Sequence, residues 1–85
     1  MVESKQKFSM SNTLVKLNHR QAQLIVYADH RCYFWKVETP DEKENINSIG
    51  LLGFAFNNLE STLTSANTYF ESLVKRLYNE NYVPG

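Results

Sequence analysis

An α+β fold is predicted for this chain: a three-stranded antiparallel meander, then a long C-terminal helix, continuous, bent or broken, packed on one sheet face. Three observations predict it. Residues 13–17, 22–28 and 31–38 are β-favouring runs with apolar residues at alternate positions, separated only by short polar turns. Nine apolar residues then recur at three-then-four spacing: Ile49, Leu52, Phe56, Leu59, Leu63, Ala66, Phe70, Leu73 and Leu77. Between the two patterns, Thr39-Pro-Asp-Glu42 has the composition of a helix start.

Eighty-five residues hold one core, so residues 1–11, polar and aperiodic, read as a flexible arm and 12–85 as a single domain. With 42% apolar and 21% charged residues the chain belongs with globular rather than disordered proteins. Its longest apolar run, residues 49–56, is too short to span a membrane. The first residues have no apolar signal core, and one cysteine, Cys32, cannot form an internal disulfide. A reducing, cytoplasmic setting is the expectation.

The turns set the expected register. Asp29-His30 as a two-residue hairpin loop, with Asn18–Gln21 joining the first two strands, gives one face with rows Thr13/Val26/Tyr33, Val15/Leu24/Trp35 and Leu17/Ala22/Val37. That face is apolar enough to take a helix. The opposite face reads Asn12/Tyr27/Cys32, Leu14/Ile25/Phe34 and Lys16/Gln23/Lys36. An antiparallel sheet with one wet side is polar there; here Leu14, Ile25, Tyr27 and Phe34 make an apolar island that calls for a cover.

One helix over residues 46–79 is the expectation for the C-terminal half, with weak propensity at Ser61-Thr-Leu-Thr-Ser65 and an end marked by Lys75, Arg76 and Asn79. Gly50, Gly53 and Ala55 are expected to let that helix approach Tyr33 and Trp35 closely. The apolar seam is about 43 Å long at helical rise, whereas a domain of this size is only about 30 Å across. Either the helix breaks, or its overhang meets another chain. The flanking positions are poor in charge, which argues against a coiled coil.

Catalytic and metal chemistry find little to build on. Cys32, His19 and His30 are the soft ligands, without paired ligand spacing, so no metal or other cofactor is expected. Cys32 has His30 near it but no third orienting group, so the protein is not expected to be an enzyme. Asp41, Glu42 and Glu44 suit a helix start. Gly50-Leu51-Leu52-Gly53 has the form of a backbone clamp for nucleic acid but lacks any neighbouring cation.

Binding remains. Residues 1–36 hold six cations against two acids, net +4, and residues 37–85 hold three against seven, net −4. The main expectation is a small regulatory module, an inhibitor or adaptor, that binds protein stoichiometrically and forms a homodimer. Its expected interface is Leu14, Ile25, Tyr27 and Phe34 on the sheet, with Tyr69, Phe70, Leu73, Leu77 and Tyr78 on the helix overhang. The alternative is a single-stranded nucleic-acid platform of Tyr27 and Phe34 with Lys16, Arg20, Arg31 and Lys36.

Overall fold

Four antiparallel strands form one sheet in the order β1-β2-β3-β4: β1 (Asn12–His19), β2 (Ala22–Asp29), β3 (Cys32–Glu38) and a two-residue β4 (Ile46–Asn47). A short helix α1 (Ser48–Leu52) follows β4, and a long helix α2 (Leu59–Tyr78) completes the α+β architecture. The structure, a computed structural model, describes residues 12–82. The expected arm, residues 1–11, lies outside the described residues.

The first hairpin closes more tightly than expected, and the second keeps its two-residue loop but one residue further along the chain. His19 pairs with Ala22 and Asp29 with Cys32, leaving Arg20-Gln21 and His30-Arg31 as two-residue loops. Arg20 (φ 57°), His30 (φ 50°) and Arg31 (φ 70°) take the left-handed backbone that such loops require. Val26 therefore faces Trp35 rather than Tyr33, and Val15 faces Val26 rather than Leu24. Each register moves by two residues. Two is the side-chain period, so most residues keep their expected face. The exception is the start of β1, where a bulge at Leu14 brings Thr13 opposite Tyr27.

The core lies between the inner sheet face and α2. Leu24, Val26, Trp35 and Val37 meet Ala66, Phe70, Leu73 and Val74, all at 1% exposure or less. Each such aliphatic or Phe side chain contributes about 1.5–3 kcal/mol on burial. Trp35 is held from three directions. Its backbone N–H donates to Ser48 Oγ (3.2 Å), its indole N–H donates to Ser65 Oγ (3.3 Å), and its ring stacks on Tyr69 at 5.3 Å.

The expected single helix is two helices, and the break comes at glycine rather than at the hydroxyl-rich stretch. Asn47 caps α1 by accepting from the Gly50 N–H (2.7 Å), and Gly53 ends it in the left-handed region (φ 79°). Asn58 then caps α2, accepting from the Ser61 N–H (2.9 Å). Neither glycine lies in a close helix–sheet contact: a Cβ at Gly53 would meet open space, and one at Gly50 would meet its own cap, Asn47. Ser61 to Ser65 forms the first turns of α2, where Thr62 is buried and donates to the Asn58 carbonyl (2.8 Å). At Thr39–Glu42, a single 3-10 turn (Glu42–Glu44) replaces the expected helix start, with Asp41 rather than Thr39 as its cap. The chain must turn there to bring Ile46 beside Val37 as the fourth strand.

Beyond Asn79, the chain folds back. Glu80 takes hydrogen bonds from His19 Nε2 (2.7 Å) and Arg20 Nε (2.9 Å) and pairs with the Arg20 terminal nitrogen. Tyr82, 8% exposed, packs edge-on against Phe70 at 4.9 Å. The clasp ties the chain after α2 to the β1–β2 turn. Hydrogen bonds from Arg20, then His19, hold the Glu80 carboxyl at about 2, below its ordinary 4.5.

A carboxylate held low stabilises the fold above its ordinary value, and that stabilisation fades as pH falls toward the folded-state value. The Tyr82 side-chain NMR signal should therefore report loosening between pH 4.5 and about 2. Glu80→Gln should abolish that course; an unchanged course would remove Glu80 as its cause. At the second hairpin, His30→Asn with Arg31→Gly supplies residues suited to left-handed angles. Thermal unfolding should show a gain of about 1 kcal/mol, or about 4–8 °C for a domain of this size.

Candidate functional site

The sheet has two unlike faces. Its inner face is closed by α2. Its outer face carries no helix among the described residues, and its chemistry follows from the register. One row is Lys16/Ile25/Lys36, and the next is Thr13/Tyr27/Phe34. Tyr27 and Phe34 are direct cross-strand partners whose rings stack at 5.3 Å with 15° between planes. Such a pair adds about 0.5–1.5 kcal/mol beyond its burial. Leu14, displaced by the bulge, is 44% exposed beside them. Burial pushes the Tyr27 phenol above its ordinary range, with Lys36 opposing the shift.

The helix residues expected to share this interface do not reach it. Phe70 and Leu73 are 0% exposed and belong to the core of the single chain, so they are not interface residues. A seam longer than its domain predicts an overhang at a surface; with the helix broken, that part of it packs against the sheet. Tyr69 is partly buried against Trp35, and Tyr78 lies 5.8 Å from the His19 ring. Leu77, 36% exposed, lines a shallow cleft with Pro40 and Tyr78. All of these belong to α2, across the sheet from Tyr27 and Phe34.

The cations of the nucleic-acid alternative are dispersed. Lys16 and Lys36 flank Ile25 on the outer face, and Lys36 Nζ lies 3.3 Å from Glu38. Arg20 is bound by Glu80 at the first turn, whereas Arg31 sits in the second turn at the other end of β2. Cys32 is partly buried, and the exposed His30 ring lies 3.3 Å from Asp29. Among the described residues, no three His, Cys, Asp or Glu side chains are grouped to hold a metal ion. No helix among them is long and apolar enough to cross a membrane.

A second apolar surface was hidden in the seam. Along the edge of β3, Asn47 lies opposite Lys36, and Phe56 exchanges both backbone hydrogen bonds with Tyr33 (2.7 and 3.0 Å). Between these two pairs, two residues of β3 are thus matched by eight of the returning chain, and the six surplus residues loop out through α1. They carry Ile49 (49% exposed), Leu51 (44%), Leu52 (39%) and Phe54 (55%). The sequence signal is Asn47-x-x-Gly50 and Gly53, a cap and a stop with five residues between them. Unbroken periodicity through Gly53 masked it. The His19–Arg20–Glu80 clasp, spanning about sixty residues, had no sequence signal at all.

Comparison with protein-family models, with curated proteins and with solved structures finds no match to this chain.

Proposed function

We propose that this chain acts by stoichiometric, non-enzymatic protein binding through its outer sheet face, and that self-association is part of that activity. The observation that carries the reading is the outer face itself. A stacked Tyr27–Phe34 pair, with the exposed Leu14 at the bulge of β1, lies next to the row in which Ile25 sits between Lys16 and Lys36, on the side of the sheet opposite the helix. Aromatic anchors in an apolar centre with a polar rim are the anatomy of a protein interface. A sheet with one closed face gains nothing in solubility from such residues on the other. A small cytoplasmic regulator, inhibitor or adaptor is the role that fits such a surface.

Nucleic-acid binding is the alternative reading and has less support. Its platform needs rings open to bases and cations open to phosphates. Here Tyr27 and Phe34 stack on each other, while Arg20 and Lys36 have carboxylate partners.

Sedimentation velocity over micromolar to submillimolar concentration tests the proposal. The wild-type chain should gain mass with concentration, and Leu14→Ser with Phe34→Ser should weaken that association at least about tenfold, as loss of an interface anchor does. Far-UV circular dichroism should stay unchanged. A monomer throughout, together with salt-sensitive binding of a single-stranded oligonucleotide, would replace this reading with the alternative.

A further inference from the structure

The looped-out segment is surplus to the fold. On either side of it, the β3 edge is already satisfied: Val37 and Lys36 pair with β4, the Trp35 N–H donates to Ser48 Oγ, and Tyr33 pairs with Phe56. A shorter connection would close the same edge. Instead, six extra residues hold Ile49, Leu51, Leu52 and Phe54 in water, and Phe54 is braced edge-on against Phe56 at 5.4 Å. Hydrophobic residues placed outward on a capped, braced turn form a knob for binding.

Charge says what the knob fits. Residues 45–59 contain no charged side chain, and the chain on either side is acidic on balance, with Asp41, Glu42 and Glu44 around the single cation Lys43 before it and Glu60 after it. The outer sheet face has the opposite rim, Lys16 and Lys36 on either side of Ile25. Lys36 is shared with Glu38 and Glu44 with Arg76, so Lys16, Glu42 and Glu60 carry most of the complementarity. An apolar knob with acidic flanks and an apolar face with basic flanks occur in one polypeptide. The knob does not bury itself on its own face: Ile49, Leu51, Leu52 and Phe54 stay 39–55% exposed. Both of its ends are pinned to the β3 edge by ladder hydrogen bonds, and Leu14 lies two strands away.

We infer that the segment from Ile49 to Phe54 of one copy seats on the Leu14/Ile25/Tyr27/Phe34 face of a second copy. The inference rests on the self-association proposed above and names the surface that the sheet face receives. Two copies can exchange knob and face reciprocally about a two-fold axis, or each can pass its knob to the next, closing into a ring or continuing as an open chain according to the rotation between copies.

Complementation between variants tests this. The loop variant Leu51→Ser/Leu52→Ser/Phe54→Ser keeps its sheet face, and the face variant Leu14→Ser/Phe34→Ser keeps its loop. In sedimentation, each alone should be monomeric, and an equimolar mixture should recover a dimer, because one intact knob and one intact face remain. Lys16→Glu should weaken wild-type association several-fold, and Glu60→Lys on the other copy should restore it. Circular dichroism confirms that each variant is folded; should the double face variant fail to fold, Leu14→Ser alone, at an exposed position, takes its place. A wild-type chain that stays monomeric overturns self-association and this inference together. Association that survives the loop variant overturns the inference and leaves the sheet-face reading standing. Association lost in both variants and not recovered on mixing shows that knob and face do not meet one another, and also overturns it.

Discussion

Trp35 is the constraint on which the rest of this fold depends. A small domain has few large side chains with which to close a core, and here the largest of them is wholly buried. An indole buried with its N–H unpaired would carry a desolvation penalty of about 1–3 kcal/mol, so Ser65 must come to it, which sets the rotation of α2. The Trp35 backbone N–H points to the sheet edge, and the Ser48 hydroxyl meets it where a fourth strand would have. Tyr69 covers the ring from the helix side. Sheet, edge and helix are thus positioned by the needs of one residue.

Completion of the β3 edge explains the most unusual part of the chain. A bare edge of unpaired N–H and C=O groups is a template for unwanted pairing. The protein covers it with a two-residue strand, a serine hydroxyl and a single bridge at Phe56, rather than with one continuous strand. That patchwork lets the intervening residues leave the sheet. Gly53 makes the departure possible, because its left-handed angle turns the chain back toward Phe56 where a residue with a Cβ would be strained. The apolar residues carried outward then become surface, although their spacing matches that of the buried helix face.

Polar contacts do the complementary work at the opposite end. The chain leaves α2 through Asn79 in the left-handed region, and Glu80 then meets the turn between β1 and β2. This places Tyr82 over Phe70 and closes the core beside Ala22. Together, clasp and edge leave the outer sheet face as the broad side of the molecule without a helix among the described residues, and it is there that Tyr27 and Phe34 stack.

Much of this was legible from residue order alone. Alternation in the strand runs determined which side chains share a face, and it survived a two-residue displacement of both hairpins because the side-chain period is itself two. The outer island of Ile25, Tyr27 and Phe34, and the α+β class, were legible for the same reason. Hairpin closure was not, since left-handed angles at Arg20 and Arg31 contradict the preferences of those residues and are imposed by strand twist and cross-strand burial. Nor was the fate of the apolar seam. Periodicity records that a residue is hydrophobic, not what it meets. Phe70 and Leu73 went to the core, whereas Ile49 and Leu52 went to water, because the edge of β3 needed Phe56 and the helix needed to fit its domain. Local pattern determined faces and elements; only long-range hydrogen bonding and packing decided where the helix broke and which apolar residues were left outside.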